Sequence, residues 1–477
     1  YSDILKSTSW NQYNHNFNAT LLQETAFNSN SAGAFECWSS HYDRIRRENE
    51  FLRDAAEFGR KFGEDWLKIR IAEVRFCRAY AYFMLCRVYG GVILRTEVDG
   101  PEQNDKARST EEECWGFIIN ELKELAPDLP LKWDSDNSGR ATQKAAYGLL
   151  SRVALYAEKW DVAAQAARDC ATAEGNLDLS KNGYAKIFEL GINSPEVLFA
   201  VEFKSSVIDH AYDAYVRPSG DTKELGKQVY SGFVPTSELV DSYEMAGDGG
   251  NFSWEKHGKD PYANREPRFY ATILYNGADW MGRKIESFVG GKDGYKAYEN
   301  AGAAGTTVTG YYLRKYLIDG DKTWVTSGSG QDWIVLRYAE VLLNKAEALA
   351  MENWNKNSAE ALQALNDVRA RVGLPARATA DKETFLEYVR HERKVELAGE
   401  GFRYWDLRRW RLAEKVIDGQ NVHGVKISKQ SDGSFTYEQV DADGGHKRIF
   451  YDRYYRFAIP LSERSNNSLC TNNDGWI

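Results

Sequence analysis

Cysteine and histidine are scarce in this 477-residue chain, and neither is arranged as a reactive or metal-binding motif. The six cysteines include no Cys-x-x-Cys pair, so the sequence lacks a zinc knuckle and a thioredoxin motif. Six cysteines in so long a chain also do not make a disulfide framework. The seven histidines are scattered, with no His-Glu-x-x-His run. We therefore expect no metal site and no cofactor.

Long apolar runs and basic runs are missing as well. No apolar run approaches the roughly 20 residues that span a bilayer. Lys and Arg number 61 against 70 Asp and Glu, which gives a formal net charge of −9, and we therefore expect no nucleic-acid binding. The sequence also has no P-loop, no GxGxxG after a strand and no GxSxG nucleophile elbow. No motif in the chain indicates catalysis.

Apolar residues at helical spacing occur instead in paired segments along much of the chain. This spacing predicts helix pairs at about 66–126, 141–175, 334–372 and 384–414. Pairs of about 34 residues built on alanine and aromatic positions are typical of tetratricopeptide-type repeats. Residues 176–332 differ, with short strand-like runs and glycine-rich turns. We predict a single domain over residues 1–477 that is mainly α, with a tetratricopeptide-like helical repeat scaffold and an irregular insertion containing loops and strands.

The stretch from Thr384 to Trp410 combines carboxylates, guanidinium groups and large aromatics. The side chains of Glu392 and Glu396 fall on one helical strip, and glycines at 399 and 401 are predicted to end that helix. One interpretation makes the two carboxylates the acid and base of a glycosidase. We favour a paired Glu/Arg network that fixes a helix hairpin, because nearby arginines keep carboxylates ionised. This structural role is assigned to Glu392, Arg393, Glu396, Arg403, Asp406, Arg409 and Trp410.

Aromatic residues of the insertion lie in polar, glycine-rich surroundings. Sugar rings stack on aromatic faces while amide and charged side chains bind the hydroxyls, so this composition favours a glycan site. The candidate ligand residues are Trp254, Tyr275, Asn276, Asp279, Trp280, Tyr295, Tyr298 and Trp324, with Trp280 and Tyr298 ranked first. The alternative is that they cover the repeats as a second core. The tryptophans in helical patterns, which are expected in the core, are Trp66, Trp115, Trp160, Trp405 and Trp410.

Four separated motifs point to one known family. They are AEVRFCRAYAYFMLCRVYGG at 72–91, NREPRFY at 264–270, ERKVELAGEGFRYWDLRRW at 392–410, and the closing segment 459–475. These motifs resemble those of the SusD-like (RagB/SusD) nutrient-binding outer-membrane lipoproteins. Glu266 stands where the family usually has aspartate. The resemblance covers most of the chain, from about Trp38 to Gly475.

The resemblance implies a function that the residues alone do not specify. A SusD-like protein captures oligosaccharide or polysaccharide without catalysis and delivers it to a SusC-like TonB-dependent transporter. The family also implies a removed signal peptide and an N-terminal lipid anchor at the surface of the cell outer membrane, neither of which is in this chain. Two other functions stay open, namely a glycoside hydrolase on an all-α scaffold and a repeat scaffold that binds only protein.

Overall fold

Helices dominate the secondary structure, as the three- and four-residue spacing of apolar residues predicts. The computed structural model describes residues 2–8, 27–100, 105–297 and 306–476. The longer helices are α1 (Trp38–Phe58), α2 (Glu64–Tyr89), α3 (Glu111–Leu125), α4 (Gln143–Tyr156), α5 (Trp160–Thr172) and α6 (Gly183–Leu190). Short helices follow: α7 (Tyr212–Val216), α8 (Asp221–Leu225), α9 (Ser237–Val240), α10 (Trp254–His257), α11 (Pro267–Thr272) and α12 (Trp324–Ser327). The remaining helices are α13 (Tyr338–Arg371), α14 (Lys382–Glu396), α15 (Arg403–Arg409), α16 (Ala413–Ile417) and α17 (Leu461–Asn466). Helix α13 consists of two helical segments that meet at a kink, where the backbone of Asn353 is non-helical.

The strands are few and short. They are β1 (Leu5–Ser7), β2 (Val197–Val201), β3 (Phe233–Pro235), β4 (Ile273–Leu274), β5 (Asp279–Trp280), β6 (Arg283–Lys284), β7 (Tyr312–Leu313), β8 (Trp333–Arg337), β9 (His423–Lys429) and β10 (Phe435–Asp441). The predicted fold class, mainly α with a helical repeat scaffold and an irregular insertion of loops and strands, is confirmed. Among the residues that the structure describes, no helix combines the length and the apolar character needed to cross a membrane.

The helical unit comprises Phe27–Asn176, Val335–Ala364 and the residues from Tyr451 on. Its first five helices pack in chain order, α1 on α2, α2 on α3, α3 on α4 and α4 on α5. The side chains of Ala72, Phe76 and Ala79 on α2 recur at intervals of four and three residues and are buried. Small residues between the aromatics let neighbouring helices approach closely.

Local sequence signals set the ends of these helices. Thr110 caps α3 and forms a capping box with Glu113, as its sequence position predicts. Gly90 ends α2 with a φ of +74°, a conformation that favours glycine. The next residue, Gly91, lies so close to the chain at Ser109 that a Cβ there would stand 2.3 Å from the Ser109 carbonyl oxygen.

Burial of the helical tryptophans is uneven. Trp115 and Trp405 are buried, as expected. Trp66 is 40% exposed, so the prediction that it belongs to the core is wrong. It lies in the first turn of α2, ahead of the buried residues, which begin at Ala72. There its ring packs on that of Phe62, with ring centroids 4.9 Å apart.

The mixed unit comprises Leu177–Ile334, Leu365–Phe450 and the described residues 2–8. Antiparallel pairs join β1 to β3, β4 to β7, β5 to β6 and β9 to β10. Aromatic side chains from these short elements supply much of the core, including Tyr243, Phe269, Trp280, Tyr311 and Tyr312. The chain thus divides into two compact units. Whether residues 1–477 act as a single domain stays a prediction.

Candidate functional site

A buried cluster of ion pairs forms within the mixed unit between α11 and α14. Arg268 on α11 is fully buried, and its Nε donates to a carboxylate oxygen of Glu266 at 2.6 Å. Its Nη1 donates to Glu392 at 2.5 Å and to Glu396 at 2.9 Å. The two glutamates lie one turn apart on α14 and so face the same side. The strip that the sequence shows as acidic therefore faces the protein interior.

Two arginines from the end of α13 complete this cluster. Arg369 binds Glu244 at 2.7 Å and Glu392 at 3.1 Å. Arg371 binds Glu196 at 2.6 Å and also contacts Glu396. Charge-assisted bonds of this kind are stronger than bonds between neutral groups. Because Glu392 and Glu396 are both paired and buried, the geometry does not favour the glycosidase interpretation of these two residues.

A second group of ion pairs joins α14 to α15. Arg393 and Arg409 both bind Asp406, with Nε–oxygen distances of 2.9 and 2.8 Å. Burial alone raises the pKa of Asp406, but the two guanidinium groups outweigh it and hold the pKa below its usual range. Arg403 instead binds Asp3 near the N-terminus at 2.8 Å. The ring of Trp410 lies 4.6 Å from the Arg409 guanidinium.

The predicted glycan residues Trp280 and Trp324 are core residues. The β5–β6 pair turns Trp280 inward, where its Nε1 donates to Asp221 at 3.0 Å. The Arg217 guanidinium lies 5.2 Å from both tryptophan rings. The expectation that these two rings are exposed is wrong, because both side chains are almost completely buried.

Trp254 and Tyr275 are partly buried against the core. The Trp254 Nε1 donates to Asp241 at 2.9 Å. Burial raises the pKa of Asp241 to about 6. The Tyr275 ring stacks on Phe269 with ring centroids 5.2 Å apart. These contacts fit the alternative of a second core, and the ligand role of both residues stays a prediction.

The remaining candidates lie in different settings. Asn276 is buried, whereas Asp279 is exposed and pairs with Lys284 across β5 and β6 at 2.7 Å. Tyr298 lies outside the described residues. Tyr295 is half-buried and lines a recess. The candidates that lie within the described residues are therefore not gathered into one surface.

The recess at Tyr295, here called the Tyr295 pocket, has a volume of about 380 Å³. Hydroxyl, amide and ammonium groups line it together with the tyrosine, from Ser219, Thr222, Gln228, Lys223, Lys292 and Lys296. Glycines 290, 291 and 294 also line it. An aromatic ring beside hydrogen-bonding groups is the combination that a sugar site needs.

Two exposed tyrosines near this pocket were missed from the sequence. Tyr215 and Tyr230 are 49% and 43% exposed, and their rings stack at 5.2 Å with 28° between the planes. Tyr230 follows Gln228 of the pocket wall by two residues. Both occur in the insertion among polar residues, so the signal that selected Tyr295 applies to them equally.

A larger recess of about 730 Å³, here called the Arg314 cavity, lies elsewhere in the mixed unit. Helix α6, the start of α11, residues 314–317 and residues 371–373 enclose it. Its wall includes Arg265, Pro267 and Tyr270 of the NREPRFY motif. Residues of this motif therefore line a cavity that the sequence did not predict.

The described part of the chain contains neither a group of metal-binding side chains nor a disulfide. Over residues 2–8, 27–100, 105–297 and 306–476, no three His, Cys, Asp or Glu side chains are grouped to hold a metal ion. All six cysteines have free thiols. Burial raises the pKa of Cys170 to about 12, so that this thiol stays protonated near neutral pH.

The paired helices place this chain in the class of helical-repeat proteins. A loop-rich insertion and a core of buried ion pairs accompany them. A family model described as "SusD family" matches residues 195–476, which is more than half of the chain. A second model, described as "Starch-binding associating with outer membrane", matches residues 1–155. The chain belongs to the SusD family, as its motifs indicate.

Individual relatives agree with this assignment. A SusD-like protein of Bacteroides ovatus is 26% identical over 452 residues, which cover 89% of this chain and 74% of the relative. A crystal structure of a SusD-like protein from Bacteroides fragilis matches with a TM-score of 0.84 at 28% identity, covering 100% of this chain and 92% of that one. A SusD-like carbohydrate binding protein from the same species matches with a TM-score of 0.81 at 25% identity, covering 98% and 91%.

Proposed function

We propose that the protein is a non-catalytic glycan-binding protein of the outer-membrane surface. In this proposal it captures oligosaccharide or polysaccharide and delivers it to a SusC-like TonB-dependent transporter. A lipid anchor at the N-terminal side holds it to the membrane, and residues 1–477 act as one SusD-like domain. Family membership supports the proposal, as do the names of the carbohydrate-binding relative and of the starch-binding family model.

The observation that carries the proposal is the exposed Tyr215–Tyr230 ring pair near the Tyr295 pocket. The side chains of Tyr215 and Tyr230 are 49% and 43% exposed, so part of each ring is open to solvent. Such exposed faces suit the flat C–H surfaces of sugar rings. The amide of Gln228 and the hydroxyls of Ser219 and Thr222 lie in the pocket to accept or donate hydrogen bonds to sugar hydroxyls.

The experiment is affinity gel electrophoresis of the purified protein in a panel of plant, host and microbial polysaccharides. Tyr215→Ala, Tyr230→Ala and Tyr295→Ala are expected to weaken retention without lowering the melting temperature. Loss of one stacking contact costs about 1 kcal/mol, or roughly five-fold in affinity. Tyr298→Ala is included because the sequence selects that residue.

Phe58→Ala is the matched control, since Phe58 is an aromatic residue of the helical unit that is 56% exposed. Its retention is expected to equal that of the unaltered protein. Equal retention of all three tyrosine variants would move the glycan site elsewhere. Failure of the unaltered protein to bind any glycan would favour a scaffold that binds only protein.

Catalysis and delivery are tested separately. Incubation of the protein with any glycan that it retains is expected to release no reducing sugar, and release would favour a glycoside hydrolase. Delivery predicts that cells lacking the protein take up less labelled glycan than cells that produce it. Equal uptake by both would contradict the delivery step while leaving glycan binding intact.

A further inference from the structure

The Arg314 cavity has the size of a ligand site. Its volume of about 730 Å³ lies within the range of roughly 300–1,000 Å³ that is usual for small-molecule sites. It is distinct from the Tyr295 pocket, because the two recesses have no wall residue in common. All of its wall residues belong to the mixed unit.

The inner wall of the cavity is held rigidly by buried bonds. Lys315 donates to Glu400 at 2.9 Å and to the Glu396 carbonyl oxygen at 3.1 Å. Arg265 donates to the carbonyl oxygens of Pro261, Val240 and Tyr243 at 3.1, 2.5 and 2.9 Å. A site whose wall is fixed in advance loses little conformational entropy when a ligand enters.

Tyr316 adds a strained aromatic residue to this wall. Its backbone has a φ of +67°, a left-handed conformation that a bulky residue rarely adopts. The ring is fixed between Phe188 and Trp333, with both ring centroids 4.9 Å away. Strain of this kind is retained mainly at ligand sites, where it positions a side chain.

The charge on the cavity wall is mainly positive. Its cations are Lys186, Arg265, Arg314, Lys315 and Arg371, and Glu189 is the acid among the wall residues. The Arg371 and Lys315 charges are balanced by the buried glutamates beneath them. Arg314 is about one-third exposed and lies 3.8 Å from Asp319, a weak surface pair. Arg314 and the exposed Lys186 are thus the cations that can receive an anion from solvent.

We propose that the Arg314 cavity binds a carboxylate-bearing saccharide, such as a uronic acid unit. The Arg314 guanidinium takes the carboxylate in a bidentate pair, and Lys186 adds a second positive charge at the rim. Tyr270 and Asn182 on the wall supply an aromatic side chain and an amide for the sugar ring and its hydroxyls. This is a second ligand site, independent of the tyrosines assigned to glycan capture.

The test measures binding of trigalacturonic acid and of neutral maltotriose by isothermal titration calorimetry. The acidic trisaccharide is expected to bind more tightly than the neutral one, with an affinity that falls as salt is raised. Arg314→Gln and Lys186→Gln are each expected to weaken it about ten-fold or more, as loss of a charged hydrogen bond does.

Lys132→Gln is the matched control, because Lys132 is an exposed lysine of the helical unit that lines neither the Tyr295 pocket nor the Arg314 cavity. It is expected to leave trigalacturonic acid binding unchanged. The proposal is overturned if neither trisaccharide binds, if both bind equally, or if the Lys186→Gln protein binds trigalacturonic acid as tightly as the Lys132→Gln protein. Lys186 is on the surface, so its variant decides the matter even if Arg314→Gln unfolds. Polysaccharide retention should be unaffected by Lys186→Gln, which separates this test from that of glycan capture.

Discussion

Replacement of Arg268 by methionine probes the ion-pair cluster of the mixed unit. Methionine keeps much of the side-chain volume but removes the charge and the donors to Glu266, Glu392 and Glu396. Glu392 retains a bond to Arg369, and Glu396 retains a contact with Arg371. Glu266 is left with the weaker bond from the Glu244 backbone N–H at 3.3 Å. The change therefore leaves one buried carboxylate without its cation.

Loss of one partner of a buried ion pair typically costs about 3–5 kcal/mol. We expect Arg268→Met to lower the free energy of unfolding by an amount in this range. Glu266→Gln in the same chain removes the isolated charge, so the double variant is expected to recover about 2–3 kcal/mol of the loss. The recovery identifies the uncompensated charge, rather than lost packing, as the main cost.

The loss of unfolding free energy in Arg268→Met also depends on pH, and its direction follows from the burial of Glu266. Burial already raises the pKa of Glu266. Without Arg268, its folded-state pKa rises further above that of the unfolded chain. A carboxyl whose pKa is raised by folding stabilises the fold at low pH and loses that contribution as pH rises through the folded pKa. The difference between Arg268→Met and the unaltered protein is therefore expected to be small near pH 4 and to grow toward pH 8.

Urea unfolding, followed by circular dichroism between pH 4 and pH 8, measures both effects. Arg46→Met is the matched control, because Arg46 forms a surface pair with Glu50 at 2.8 Å and is mostly exposed. This control is expected to unfold like the unaltered protein. An Arg268→Met protein of unchanged stability, or a loss independent of pH, would refute the argument that the carboxylates depend on this guanidinium.

Two further predictions concern tryptophans of the insertion and their partners. Trp280→Ala is expected to destabilise the protein by about 3–5 kcal/mol, since it empties a buried site and leaves Asp221 without the indole donor; an unchanged melting temperature would contradict the burial of Trp280. Asp241→Asn keeps an acceptor for the Trp254 indole while removing a carboxyl whose pKa burial raises to about 6. Because that carboxyl stabilises the fold only in its neutral form, the variant is expected to be more stable than the unaltered protein by roughly 1–3 kcal/mol at pH 8 and equal to it at pH 4. Unfolding free energies at the two pH values check this, and equal stability at pH 8 would count against an ionised, buried Asp241.

The sequence predicted local features better than contacts between distant residues. The helix cap at Thr110 and the helix end at Gly90 depend on neighbouring residues alone, and the structure shows both. The glutamates Glu392 and Glu396 have a partner that is distant in sequence, because Arg268 reaches them from 124 and 128 residues away. No spacing rule predicts such a contact.

The candidate glycan residues also depend on contacts with residues that are distant in sequence. A polar, glycine-rich setting around Trp280 suggested an exposed ring, yet the β5–β6 pair turns it onto Arg217 and Asp221, which are about 60 residues earlier in the chain. Tyr215 and Tyr230 stand in equally polar sequence and are exposed. Burial of an aromatic residue in irregular structure is decided by such distant partners, and local composition does not report them.

The N-terminal residues 2–8 are part of the mixed unit rather than a loose tail. Leu5 to Ser7 pair with Phe233 to Pro235, and the buried Lys6 ammonium lies 3.0 Å from Asp443. Trimming this segment to obtain a shorter protein would therefore open a sheet edge and leave Arg403 without Asp3. Tags and truncations made upstream of Ser2 would leave these bonds in place.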